Sequence, residues 1–178
     1  ILVVTQFSIS QMLIIGTIVA VAQMNFVRNA DLGFNKEAIL VMPAYSDSAN
    51  LPRMRPLKQL LLENPEIISV SFASDEASSD NNWASNFAFD NKEDEDYAVF
   101  HKYGDEDYVK TFGLNVIAGR SYAASDTSRE IMINEALTKK LGLKEPQQAI
   151  GKMLRIGGGT WLPVVGVVKD FKTNSLRE

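Results

Sequence analysis

No charged side chain occurs before Arg28. All 18 Lys and Arg residues and all 22 Asp and Glu residues lie from that point on. The opening, ILVVTQFSISQMLIIGTIVAVAQMNFV, is chemically unlike everything after it. As a helix rising about 1.5 Å per residue it would reach roughly 40 Å, more than the ~30 Å hydrocarbon core of a bilayer. Its polar members are all uncharged. At about 100° per residue, Gln6, Ser10 and Thr17 share a face, and in lipid such a face commonly packs on a neighbouring helix. A secretory signal fits less well, because it needs a basic n-region and a shorter apolar run. A buried soluble helix is rarely uncharged over this length. Residues 1–27 are therefore expected to be a transmembrane helix. The start at Ile rather than Met suggests a piece of a longer protein.

From Arg28 on, the chain reads as one domain of ordinary size behind a linker over residues 28–37. Cysteine is absent, which excludes disulfides, a thiol nucleophile and a thiolate metal site. The formal net charge is -4 and the sequence pI about 5.1. With no Lys/Arg cluster to neutralise phosphates, nucleic acid is not expected as a partner.

Periodicity gives the elements. Ala38–Met42 reads as a buried strand stopped by Pro43. Residues 56–63, PLKQLLLE, read as a helix opened by Pro56, with Leu57, Leu60 and Leu61 on one face. Ile67–Ser74 reads as a second strand, with Ile68, Val70 and Phe72 alternating. The polar stretch Ser74–Asp96 leads into an expected hairpin: Phe87 and Phe89 on one arm, Tyr97–Tyr103 on the other, Asp90–Asp96 as an acidic tip. A short helix follows over Asp105–Phe112, its acidic first turn suited to the positive helix end and its stop at Gly113. Leu114–Ala118 and Ile131–Ile133 read as strands. Asn134 caps a helix that Gly142 ends, Pro146 opens a one-turn helix, and Gly157–Gly159 turn a hairpin whose second arm contains the buried run Val164–Val168.

Candidate sites are few. Gly157–Gly159 precede a strand, whereas a phosphate cradle needs a helix there. Gly151–Lys152 fails the nucleotide-loop pattern, with Met153 in place of Ser or Thr and Pro146 in place of the first glycine. The run Asp90–Asp96 lacks the glycine of a calcium loop and reads as a solvated tip. His101, the only histidine, has no companion ligands at metal spacing. Trp83, Phe87 and Phe89 stand among polar residues, so they are candidates for a partner surface; the simpler alternative is that they pack under their own hairpin. No catalytic, cofactor-binding or metal residue is assigned.

Several stretches carry a family resemblance. QFSISQMLIIGTIVAVAQMNFVRNADLGFNKEAILVM resembles the membrane helix and domain entry of FtsX-like and MacB-like ABC transporter permeases. YVKTFGLNVIAGRSY, IMINEALTKKLGL, AIGKMLRI and VVGVVKDFKTNSL resemble successive segments of the MacB-type periplasmic core domain, in the same order. NADLGFNKE is similar to the second half of long two-repeat permeases of Bacteroidetes type. Ser74–Asp96 matches nothing in that pattern.

The resemblance implies an α+β fold: an N-terminal transmembrane helix followed by a two-lobed mixed-sheet domain over residues 38–178. Lobe one would be about 38–120 plus 161–170, lobe two about 121–160. It implies a bacterial inner-membrane protein with its main domain in the periplasm. It implies a cytoplasmic ATP-binding subunit, a second permease half or homodimer partner, membrane lipid, and a periplasmic protein, peptide or lipoprotein. It implies no enzyme activity and no cofactor of its own. Charge does not fix the orientation, since Arg28 and Lys36 flank one side of the helix while Lys169, Lys172 and Arg177 lie beyond the domain. The rival readings are a membrane-anchored ligand-binding or sensor domain without transport, and a tethered hydrolase using His101 and the Ser78–Ser79 region.

The first segment generates a direct test. The intact chain should stay in the membrane pellet after alkaline extraction. Ile14→Lys with Ile18→Lys, each costing about 3 kcal/mol near the bilayer centre, should release it. Release of the unaltered chain would contradict a spanning helix.

Overall fold

The computed structural model describes residues 2–35, 37–44, 51–79, 81, 83–90 and 92–173. The expected loop over 45–50 and the flanking charges Lys36 and Arg177 lie outside these residues. The chain divides into two compact units, one running through Leu32 and the other beginning at Gly33.

The first unit is the helix α1, Leu2–Asn29. It is long and apolar enough to cross a membrane. None of its residues is buried within the protein, so its Ile, Val and Leu side chains gain nothing from a protein core. Thr17 Oγ1 donates to the Leu13 carbonyl one turn back, at 2.8 Å. A hydroxyl satisfied in this way inside its own helix can enter lipid without an unpaired donor.

The second unit, the head, is an α+β domain. After α2 (Leu51–Leu62) come β1 (Trp83–Ser85), β2 (Phe87–Phe89) and β3 (Val99–His101). Then follow α3 (Tyr108–Thr111), β4 (Val116–Gly119), β5 (Ile131–Asn134), α4 (Glu135–Lys140), a 3-10 turn at Pro146–Ala149, β6 (Met153–Ile156) and β7 (Leu162–Val168). β7 organises the main sheet. It pairs antiparallel with β6 and β4 and parallel with β5, and β6 carries β2 on its other side. β5 and β6, expected in one lobe, therefore share a sheet with β4 and β7, expected in the other. β1 and β3 form a separate antiparallel ribbon.

Two buried clusters hold the head together. Phe87, Phe89, Leu154, Val164 and Val167 anchor the first. Tyr108, Val109, Phe112, Leu114 and Val168 anchor the second. β7 feeds both. Each such side chain removed from water contributes about 1.5–3 kcal/mol before entropy is counted.

The C-terminal half forms as its sequence indicates. Asn134 caps α4, its side chain accepting from the Leu137 amide. Gly142 ends that helix in the left-handed region at φ 73°. The N-terminal half departs from expectation in four places.

Residues 38–42 join no ladder. Ile39 packs in the second cluster, while Leu40, Val41 and Met42 are exposed; Ala38 is left-handed and Pro43 has no N–H to donate. Residues 67–74 make only one bridge, Ala73 with Gly104. The reason lies in the serines. Ser69 bonds Thr111 and Ser71 bonds Asp105, so the polar side of the segment turns inward and Ile68 points outward, 85% exposed.

Helix α2 begins at Leu51, placing Pro56 inside it. Its half-buried face is Met54, Lys58 and Leu61, at i, i+4 and i+7, with Leu57 and Leu60 exposed. The hairpin arms do not pair with each other. β2 is buried along its whole length and pairs with β6, leaving β3 to β1.

One contact in the sheet fixes two glycines. Gly119 of β4 lies opposite Gly166 of β7. A Cβ on Gly119 would strike the Val165 carbonyl oxygen, and one on Gly166 the Arg120 carbonyl oxygen. Gly119 is also left-handed, at φ 71°. Gly166→Ala should therefore lower the unfolding free energy by on the order of 3 kcal/mol, whereas Asn134→Ala should cost about 1 kcal/mol, both read by denaturant unfolding. Equal small effects would contradict the strand-to-strand approach.

Candidate functional site

The chemical candidates resolve into structure. Gly157–Gly159 turn the β6–β7 hairpin, with the Gly157 amide donating to the Asn86 carbonyl and the Gly159 amide to Ile156. The acidic run is no freely solvated tip. Asp90 accepts from Lys152 Nζ at 2.7 Å and Asp94 from Arg155 at 2.6 Å, which ties the run to β6. Among the described residues no group of three His, Asp or Glu could hold a metal ion. His101 lies opposite Trp83 in the β1–β3 ribbon. Its ring stands edge-on to Tyr103 at 5.5 Å, and its Nδ1 is buried without a hydrogen-bond partner. Ser79 Oγ accepts from the Asn81 amide.

The three candidate aromatics separate. Phe87 is fully buried and Phe89 nearly so, both in the first cluster, and Phe87 packs edge-on against Tyr97 at 5.2 Å. Their place on β2, between core and sheet, removes them from any partner surface. Trp83 is 57% exposed.

The arrangement best able to do something is where the chain enters and leaves the head. Gly33, at φ 76°, lies so close to the end of β7 that a Cβ there would sit 2.7 Å from the Asp170 carbonyl oxygen and 2.9 Å from Phe171 Cα. Only glycine permits that approach. Phe34 then stands edge-on to both Phe112, at 6.4 Å, and Phe171, at 6.5 Å. The Asn35 amide donates to the Phe112 carbonyl at 2.7 Å, and the Lys169 amide to Asn115 at 2.8 Å. Asp170 Oδ1 accepts from the Ala136 amide in the first turn of α4. Entry and exit are thus joined to each other, to α3 and to α4.

From α3 the connections continue to α2. Lys58 Nζ reaches Asp105 at 2.8 Å and Asp107 at 2.7 Å. Asp105 also accepts from Ser71 Oγ and from the Phe72 amide. Burial opposes ionisation of both partners. Hydrogen bonds and charge attraction outweigh it, raising the Lys58 pKa and lowering that of Asp105. Sequence reasoning placed Asp105 in a helix's first turn. It instead precedes α3 and meets a lysine 47 positions earlier, a pairing no local pattern reveals. Gly33 was legible only as a turn.

A family model described as the MacB-like periplasmic core domain matches residues 8–177. The chain belongs to this family. As a MacB-like periplasmic core domain it is a domain of the ABC transporter permease family. Among solved structures it is similar to a domain assigned to a permease protein of Porphyromonas gingivalis, at 20% identity and a TM-score of 0.45, covering 61% of this chain and 46% of that one. It is also similar to the periplasmic region of MacB from Actinobacillus actinomycetemcomitans, at 21% identity and a TM-score of 0.48, covering 66% of this chain and 50% of that one. The chain spans about half the length of these two. Comparison with curated proteins finds no match.

The Lys58–Asp105 pair predicts a pH dependence. A carboxyl whose pKa is lowered on folding stabilises the head above its unfolded value, near 3.8, and loses that contribution as pH falls through the folded value. Asp105→Asn should be less stable than wild type at pH 7, with a shallower loss of stability below about pH 4. Parallel acid-unfolding curves for the two proteins would contradict the assignment.

Proposed function

We propose that this MacB-like periplasmic core domain is the extracytoplasmic head of a bacterial inner-membrane permease, and that it couples ATP hydrolysis by a separate cytoplasmic subunit to export, extraction or mechanical signalling in the periplasm. In this reading residues 1–27 cross the membrane, 28–37 link, and 38–178 form the head, with lobe one about 38–120 plus 161–170 and lobe two about 121–160. The permease works with a second permease half or a second copy. The head performs no covalent chemistry. Its task is to move as a body when the membrane segments move.

The observation that supports this is the seam at Gly33, Phe34 and Phe171. A domain on a slack tether would absorb displacement of its attachment points. Here the first and last strands of chain are packed against each other and against α3, so force applied at either end enters the folded core. The aromatic edge contacts each contribute about 0.5–1.5 kcal/mol beyond their burial.

The test uses the full permease with its ATP-binding subunit in lipid. Spin labels on exposed head residues such as Lys144 should change their separation between heads when ATP hydrolysis is trapped. Phe34→Ala with Phe171→Ala should abolish that change while ATP hydrolysis persists and the head still melts cooperatively. Head separations indifferent to nucleotide in the unaltered permease would overturn the proposal.

A further inference from the structure

The β1–β3 ribbon lies outside the main sheet, and its large apolar side chains face solvent. Phe100 is 71% exposed and Trp83 and Tyr103 are each 57% exposed. Trp83 lies across from His101, and His101 stacks edge-on with Tyr103, so Trp83 and Tyr103 mark one end of the ribbon. Phe100 lies across from Ala84. Exposed aromatics grouped on one small element are what a binding surface uses and what an isolated surface avoids.

Charge around the ribbon selects its occupant. At the Tyr103 end, the Ser74 amide bonds the Tyr103 carbonyl, which brings Asp75 and Glu76 alongside. Asp75 Oδ2 is left without a hydrogen-bond partner. At the Val99 end, Glu95 and Asp96 precede the strand directly. The one neighbouring cation is turned away: Lys102 Nζ donates to the backbone carbonyls of Glu76 and Ala77. Elsewhere the head covers aromatic faces with its own cations, Lys58 over Phe72, Lys140 over Tyr97 and Arg155 over Trp161. Among the described residues no cation lies over Trp83, Phe100 or Tyr103.

We propose that the β1–β3 ribbon is the head's docking surface for a basic, extended polypeptide segment of another protein, Lys or Arg side chains lying over Trp83, Phe100 and Tyr103 and reaching the carboxylates at the two ends. Cation–π contacts and carboxylate pairing supply the recognition. An anionic lipid surface is disfavoured by the same carboxylates. So is a second copy of this chain, which would bring acidic ends against acidic ends. The proposal deepens the function proposed above by naming the partner chemistry of an extracytoplasmic head, and it rests on that placement.

The experiment uses the full chain in lipid nanodiscs and a fluorescent peptide alternating Lys with Val. Anisotropy should report binding that weakens with added salt, and a peptide with Glu for Lys should bind at least about tenfold more weakly. Trp83→Ala with Phe100→Ala should weaken the Lys peptide by about tenfold or more with the thermal midpoint unchanged. Asp75→Asn with Asp96→Asn, which keeps the rings, should flatten the salt dependence. Equal binding of Lys and Glu peptides, or no effect of the aromatic substitutions, overturns the proposal. So does stronger capture of the ribbon by vesicles rich in anionic lipid, or an aromatic substitution that only splits a dimer. No ATP-binding subunit is present, so a negative result here leaves the nucleotide-driven head movement to be judged separately.

Discussion

Both ends of the head depend on one strand. β7 pairs with three others, contributes Val164 and Val167 to one buried cluster and Val168 to the other, and continues into Lys169–Phe171, where it meets Gly33 and Phe34. Its neighbours approach closely because Gly166 and Gly119 leave room for backbone against backbone. The consequence is mechanical. The residues that receive the chain from α1, and those that carry it onward, are extensions of the most buried strand in the domain, so they share its rigidity.

A second line of contacts spreads from that seam. Phe112 ends α3, and Asp105, at the start of the same turn, holds Lys58 of α2 and the amide of Phe72. Polar anchoring of this kind explains the otherwise exposed character of α2. Its leucines do not pack inward, and a half-buried lysine with two close carboxylates sets its rotation instead. Breaking one partner of a partly buried pair costs more than the pair itself contributes, because the other charge is left without compensation. Fold and position are thereby linked in the region between the seam and the outer ribbon.

What the sequence made legible follows from the range of the interactions. The spans from Val116 to Ala149 and from Met153 to Val168 are governed by local rules: an Asn cap, glycine stops, a proline start and a glycine hairpin turn, each acting within a few residues. The uncharged opening needed only composition. The N-terminal half of the head is governed by distant partners. Ile68, Val70 and Phe72 alternate as a strand should, yet Asp105 and Thr111 draw Ser71 and Ser69 inward. Phe87 and Phe89 alternate as a half-exposed strand would, yet β6 and the core bury both faces of β2. Trp83 stayed a candidate because nothing local claims it. The seam itself was invisible, since Gly33 and Phe171 are separated by almost the whole domain.

The central claim is that entry, exit and core form one cooperative unit, and hydrogen exchange of individual amides tests it most directly. The amides of Asn35 and Lys169, bonded to Phe112 and Asn115, should open with the same free energy as the β7 amides and respond to denaturant with the same slope. Exchange at Asn35 or Lys169 through separate, lower-energy openings, while β7 stays protected, would show that the ends are tethers and not part of the rigid head.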